Sequence, residues 1–352
     1  MSDFMKKLSK HDGDIKNYMF QDLILQTDSP GINYLFGKQG GMKAGYSMLL
    51  YGPPKSGKSL IAYSFAGHVH KTDPEAIVIK FDTEFRHDSL DHWAKPFGID
   101  KERFQYNMTN NPEEIFDYIA NDLVALIQAE MEKKKTTDPV IGNPVKLIII
   151  DSLKAISYPK EANADKTTDN QMGDAASYLN KGFKKILPII RKYKIGLISC
   201  QHVADNFDPS TARFAKYKIP GGNGLKHYVE YWMLVEKINS KDTKVFDSDK
   251  LDGSGRPIQL GHALRVKMEE NSDGPQNRAI ETDLSYINGL VNPHKEVATM
   301  AVNMGIVERP NNMSYAFDGK KWVGAANFEE AIKNDPDLQQ KLIQKITAND
   351  PI

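Results

Sequence analysis

The sequence predicts an α/β fold: a mostly parallel, doubly wound sheet followed by a small α+β segment at the C-terminus. Three observations predict it. Short apolar, β-branched runs alternate with longer amphipathic stretches, the pattern of parallel strands covered by helices. A glycine-rich loop, Gly52 to Ser59, sits between one such run and one such stretch. Beyond about residue 290 the alternation gives way to a helix, a hairpin-like stretch and a second helix.

In chain order, strands are expected at 47–51, 76–81, 147–150, 195–200 and 229–235, and helices at 59–71, 112–133 and 173–193. Pro188 is expected to kink the last helix, because proline has no N–H for the helical ladder. Three stretches lack periodicity and are rich in polar residues, Gly or Pro: 158–171, 205–220 and 239–257. The first two follow the C-terminal ends of strands, the ligand-binding edge of such a sheet. A helix at 293–307, a hairpin at 314–323 and a helix at 327–346 complete the chain. The division this suggests is an N-terminal segment 1–28, a core 29–290 and a small C-terminal domain 291–352.

At 352 residues, the chain is long enough for one large domain with small appendages. Hydrophobic residues at 40% and charged residues at 26% exclude a fibre or a wholly disordered chain. No apolar run approaches the roughly 20 residues that span a bilayer, and Met1-Ser2-Asp3-Phe4-Met5-Lys6-Lys7 lacks a signal peptide's apolar stretch. A cytoplasmic protein without membrane partners is expected. The single cysteine, Cys200, excludes an internal disulfide and reads as a core residue. Forty-six basic and 46 acidic residues cancel, so any nucleic-acid binding must come from a local patch or from backbone amides.

Gly52-Pro53-Pro54-Lys55-Ser56-Gly57-Lys58-Ser59 satisfies the phosphate-binding pattern G-x-x-x-x-G-K-[ST]. A random chain of this length would contain it with a chance of roughly one in a hundred. The loop's amides cradle phosphate oxygens and the following helix N-terminus adds positive potential. Lys58 is expected to reach the β and γ phosphates of ATP, and the Ser59 hydroxyl to bind Mg2+. Asp151 ends the run Lys146-Leu147-Ile148-Ile149-Ile150 and projects from a buried strand tip, where a carboxylate holds the magnesium shell. Glu84 and Asp82, after another strand, are rival candidates to accept a proton from the attacking water. Gln201, just past the strand ending in Cys200, is a candidate sensor of the γ phosphate.

This order of motifs resembles the RecA family of homologous recombinases, including the phage UvsX branch, over nearly the whole chain. The likeness is carried by Gly40-Gly41-Met42-Lys43-Ala44-Gly45-Tyr46, by Phe81-Asp82-Thr83-Glu84, by Ile150-Asp151-Ser152 and by Gly221-Gly222-Asn223-Gly224-Leu225-Lys226-His227-Tyr228. The last is the most specific, because generic P-loop enzymes have no equivalent. The resemblance implies a RecA-like P-loop core, with Glu84 as general base, Asp151 as the Walker B residue and Gln201 as the switch between the γ phosphate and the following loop. It makes 158–171 and 202–220 two DNA loops and 1–28 a polymerisation segment. Gly173, Asn180, Lys184, Gly221 and Gly222 would hold phosphates of single-stranded DNA. Phe207, Phe214 and Tyr217 would either wedge between bases or anchor the loop to the core. Trp93 and Tyr286 fall near two adenine-side aromatics. Tyr315-Ala316-Phe317-Asp318-Gly319-Lys320-Lys321-Trp322 resembles the family's C-terminal domain, implying a duplex-DNA surface with Lys320 and Lys321.

The chain departs from the family where two basic residues would reach the neighbouring subunit's γ phosphate. The matching positions are Glu270 and Ser272, and Lys267, Arg265 or Arg278 is expected to substitute. The implied function is an ATP-dependent recombinase that forms a helical filament on single-stranded DNA, pairs it with double-stranded DNA and exchanges strands. If the protein is phage-encoded, it would act in the bacterial host cytoplasm. The alternatives are a hexameric helicase or other DNA-dependent ATPase of the same core, and a catalytically weak DNA-binding filament protein.

Overall fold

The computed structural model of the chain describes residues 22–86, 89–157, 171–206, 210, 216–220, 223–238 and 244–351. Its main sheet contains β1 (Ser47–Gly52), β2 (Ile77–Asp82), β3 (Phe104–Met108), β4 (Val145–Asp151), β5 (Gly196–His202), β6 (Tyr231–Lys237), β7 (Lys244–Leu251), β8 (Pro257–Asn271), β9 (Arg278–Ser285) and β10 (Gly289–Val291). The order across it is β10–β9–β8–β6–β1–β5–β4–β2–β3, with β7 paired on β8. From β6 to β3 every pairing is parallel. The strands beyond β6 are antiparallel.

Helices α1 (Lys58–Thr72) and α2 (Ser89–Phe97) cover one face of the sheet. The other face takes α3 (Pro112–Asp117), α4 (Leu123–Lys133) and α5 (Gln171–Lys192). Because side chains alternate along a strand, β1 sends Met48 and Leu50 into the first core and Leu49 and Tyr51 into the second. Both faces are covered, so the central strands read as unbroken apolar runs. This is the doubly wound α/β fold expected, and Cys200 is buried within it.

Several boundaries differ from expectation. A single turn of π-helix, Tyr118–Asp122, interrupts the expected continuous helix between α3 and α4. Pro188 lies inside α5, where it cannot donate to the Lys184 carbonyl. The stretch expected as an aperiodic loop at 239–257 contains β7, paired antiparallel with β8 through two register shifts. β8 and β9 were not read from the sequence, because their apolar residues alternate with charged ones in antiparallel strands with one open face.

Past β10, α6 (Pro293–Asn303) is followed by a three-stranded sheet of Glu308–Asn311, Ser314–Phe317 and Lys320–Val323. Asp318 and Gly319, both at positive φ, form its tight turn. The helix expected at 327–346 is two helices, α7 (Ala325–Asn334) and α8 (Pro336–Asn349). The break falls at Asp335 because a residue before proline is driven out of the helical region. Its carboxylate then caps α8 by accepting from the Leu338 N–H at 3.0 Å. These elements enclose their own apolar core around Ala301, Phe328, Ile332 and Leu342.

Glu296 on α6 ties this segment to the rest. It accepts hydrogen bonds from the Ser29 hydroxyl (2.7 Å) and the Gly31 N–H (2.9 Å) of the short helix Pro30–Tyr34 and its cap, and from the Thr282 hydroxyl of β9. Burial raises its carboxyl to about 7, although these three donors oppose the shift. A carboxyl that binds its proton more tightly folded than unfolded contributes stability that is fully present below its ordinary value of 4.5 and lost as pH rises through about 7. The loss is expected to approach roughly 3 kcal/mol. Urea midpoints of wild type and Glu296→Gln at pH 5 and pH 8 check this, since the variant should lack that component of the pH slope. Parallel slopes would remove Glu296 as its source.

Candidate nucleotide-binding site

The C-terminal edge of the parallel strands brings the expected polar residues into one row. β2 and β4 align Asp82 with Asp151, β4 and β5 align Asp151 with Cys200, and β1 and β5 align Gly52 with His202. Residues 52–59 turn from β1 into α1 above this row. Two glycines make that turn possible. A Cβ at Gly52 would lie 2.1 Å from the Val235 carbonyl oxygen, and Gly57 caps α1 at φ +95° with Leu264 directly beneath.

A cavity of about 300 Å³ opens here, lined by the loop from Lys55 to Ser59 and by Lys80, Glu84, Asp151 and His202. Its far end is aromatic, with Trp93, Tyr286 and His262. The His262 ring lies 2.9 Å from the Tyr286 hydroxyl through Nδ1, and its Nε2 has no partner among the described residues. Burial, with Lys237 as a lesser cause, pushes the imidazole down to about 4, so it is neutral at physiological pH.

Lys58 is 4% exposed. Its ammonium donates to the carbonyls of Gly52 (3.0 Å) and Pro53 (2.8 Å) and lies 3.4 Å from His202 Nδ1. Burial lowers its pKa, and the nearby Asp151 and Glu84 only partly offset that. Ser56 Oγ, at the base of the loop, is buried with no partner among the described residues. A buried ammonium held by neutral groups, an unpartnered hydroxyl and a glycine-shaped cradle form the donor set that a phosphate chain requires. Ser59 and Asp151 line the same cavity. Among the described residues no group of three His, Cys, Asp or Glu side chains is arranged to hold a metal by itself. A magnesium ion fits here with one carboxylate, one hydroxyl and the rest of its shell from phosphate and water.

The two rival carboxylates are differently committed. Asp82 accepts from the Glu84 N–H (3.1 Å), the Arg86 N–H (2.8 Å) and the Tyr106 hydroxyl, so it fastens the 82–86 turn. Glu84 lines the cavity and accepts from the Ser152 hydroxyl (2.7 Å) and from His202 Nε2 (2.8 Å), with Arg86 2.6 Å from its other oxygen. Burial alone would raise the Glu84 carboxyl, but these three groups together hold it below the usual carboxylate range.

Gln201 does not face the cavity. Neighbours on a strand point to opposite faces, and on β5 it is His202 that turns toward the phosphate loop. The Gln201 amide instead donates to the Pro220 carbonyl at 2.8 Å, across the sheet edge. Of the two adjacent polar residues at this strand end, the structure brings His202 and not Gln201 to the cavity wall. With Nε2–H donated to Glu84, the His202 Nδ1 lone pair faces Lys58, so one imidazole bridges the loop lysine and the carboxylate.

Among the expected DNA contacts, Gly173 lies in the first turn of α5, Asn180 is half-buried with its Oδ1 unpartnered among the described residues, and Lys184 is exposed. Phe207, Phe214, Gly221 and Gly222 lie outside the described residues, as does most of 158–171. Tyr217 is not a free wedge: its backbone pairs with Asp205, and its hydroxyl donates to Glu236 at 2.7 Å. Lys320 lies 3.6 Å from Asp335, and Lys321 follows it on the same strand, so the two ammoniums leave opposite faces of the hairpin. Arg278 cannot serve as a finger toward a neighbouring molecule, because its guanidinium is bidentate to the buried Asp350. Lys267 lies 3.3 Å from Glu269, and Arg265 is exposed.

Comparison with known proteins gives one consistent result. The family model described as the RecA N-terminal domain matches residues 13–291. The chain is similar to the RecA protein of Porphyromonas gingivalis, 23% identical over 328 residues that cover 92% of this chain and 84% of that protein. It is 23% identical to the RecA protein of Paracoccus denitrificans over 92% of this chain and 80% of that one. For the RecA protein of Mycoplasma mobile the identity is 24%, over 93% and 88%. Among the described residues no helix is long and apolar enough to cross a membrane.

Proposed function

The chain belongs to the RecA family, and from that premise we propose that it is a DNA-dependent ATPase that polymerises on single-stranded DNA, pairs it with a homologous duplex and exchanges strands. The observation that carries this reading is the single cavity in which Lys58, Ser59, Asp151, Glu84 and the two aromatics Trp93 and Tyr286 meet at the edge of the parallel sheet. In this reading residues 29–290 are the ATPase core, 291–352 a small C-terminal domain and 1–28 the segment that joins one protomer to the next.

The loop amides and Lys58 bind the phosphates of ATP, with Trp93 and Tyr286 beside the base. Ser59 and Asp151 hold Mg2+, which when bound neutralises charge developing on the phosphate oxygens. Glu84 takes the proton of the attacking water. Its depressed pKa keeps it ionised at neutral pH and so ready to act as a base. When phosphate replaces the Gly52 and Pro53 carbonyls as the partner of Lys58, His202 loses its contact with that ammonium. We assign to His202 the sensing role first expected of Gln201, with Gln201 passing the change to the segment after Pro220. Single-stranded DNA would lie along Gly173, Asn180 and Lys184 and the loops that contain Phe207, Phe214, Gly221 and Gly222. Lys320 and Lys321 remain candidates for duplex contact, each on its own face.

ATP turnover measured with and without single-stranded DNA, together with negative-stain images, tests the reading. DNA-stimulated hydrolysis and helical filaments are expected. Hexameric rings would favour a helicase, and filaments without turnover a structural DNA-binding protein. His202→Ala should lower DNA-stimulated turnover about tenfold, the effect of one hydrogen bond of roughly 1.4 kcal/mol. Gln201→Ala should keep basal hydrolysis and lose only its response to DNA. Equal loss of basal hydrolysis in both variants would show that the two side chains do not divide the task.

A further inference from the structure

Lys80 is a lysine in the middle of a core strand, a position that alternation along β2 would otherwise fill with an apolar residue. It is 2% exposed. Its ammonium donates to the Tyr63 hydroxyl of α1 at 2.9 Å and lies 3.3 Å from Asp151 Oδ2. The rings of Tyr63 and Tyr106 flank it at 4.9 and 5.3 Å. An ammonium out of water is costly unless paired, and these groups offset that cost. The phosphate loop and the proton-accepting carboxylate do not use it, yet it lines the same cavity as Asp82, Glu84 and Asp151.

Asp151 lines this cavity, and its carboxylate attracts a divalent cation whether or not a nucleotide is there. We propose that Lys80 is a resident counter-ion of Asp151 that weakens the hold of the nucleotide-free site on divalent cations, so that metal enters with the triphosphate and not before it. By engaging one carboxylate oxygen, Lys80 limits what Asp151 can offer a metal. It also places a positive charge within a few ångströms of any ion bound there, where repulsion is only partly screened. The four extra phosphate charges that accompany ATP outweigh that repulsion. Lys80 is thus a positioning residue, acting on the metal through Asp151. The inference rests on reading Asp151 as the magnesium ligand.

The test is Mn2+ binding to the nucleotide-free, full-length protein, followed by electron paramagnetic resonance. Lys80→Met should tighten Mn2+ binding at least about tenfold over wild type, because removing a unit charge at this range in a partly buried site is worth that much or more. Lys80→Arg should keep the weak wild-type affinity. Lys80→Gln, which retains a donor for the Tyr63 hydroxyl, should behave as Lys80→Met and serves in its place if the methionine variant does not fold. Wild-type Mn2+ affinity in a folded Lys80→Met or Lys80→Gln protein would overturn the proposal and leave Lys80 a purely structural link. So would tightening that persists in the Lys80→Met, Asp151→Asn double variant, since the ion would then sit elsewhere. Failure of the metal-ligand reading is seen separately: Asp151→Asn in the otherwise wild-type protein would then leave Mn2+ binding in the presence of ATP unchanged.

Discussion

Lys58→Ala is expected to lower ATP hydrolysis roughly a thousandfold or more, the loss typical of removing a buried charge that stabilises a phosphoryl-transfer transition state. The side chain is enclosed, its partners among the described residues are two loop carbonyls and an imidazole, and burial destabilises its charge in the absence of an anion. A phosphate chain would relieve that cost, so nucleotide affinity should fall along with turnover. The loop should lose two hydrogen bonds to its carbonyls but keep the turn that Gly52 and Gly57 make possible. Turnover within tenfold of wild type in a folded Lys58→Ala protein would sink the phosphate-loop assignment.

Glu84→Gln should cut hydrolysis roughly a hundredfold while ATP and single-stranded DNA still bind, since general-base catalysis contributes about that much. The substitution is a clean one. The Ser152 hydroxyl and His202 Nε2 donate to the same oxygen of Glu84, which the amide retains. Only the contact with the exposed Arg86 is lost. Asp82→Asn is the control. It deprives the 82–86 turn of one acceptor among three donors, so its effect should appear in stability before it appears in chemistry. Normal turnover in Glu84→Gln together with an inactive, well-folded Asp82→Asn protein would reverse the assignment of the two carboxylates.

The parallel core was legible because each of its central strands is buried on both faces and is therefore mostly apolar, as in the run Leu147-Ile148-Ile149-Ile150 ahead of Asp151. The phosphate loop was legible because its mechanism demands particular residues at fixed spacing. The antiparallel strands β7, β8 and β9 were not, because one-sided burial dilutes the apolar signal with residues such as Arg265, Lys267 and Glu281. The break at Asp335-Pro336 was readable in principle from proline's effect on its predecessor, but the apolar spacing continues through it and hides the boundary.

By itself, the sequence determined the fold class and pointed to the loop from Gly52 to Ser59 and to the strand ends at Glu84, Asp151 and Gln201 as the places where polar chemistry is expected. These are local facts, set by periodicity and by residues adjacent in the chain. Only the tertiary structure decided between neighbours and between commitments. Strand alternation on β5 brings His202 and not Gln201 to the cavity, and the Tyr106 hydroxyl together with two backbone amides ties Asp82 to its turn. Asp350 removes Arg278 from the candidate fingers from 72 residues away, and Lys80 finds Asp151 on the neighbouring strand. Hydrogen bonds and ion pairs of this kind join residues far apart in sequence, and which partner each group takes is set by packing, which no local pattern encodes.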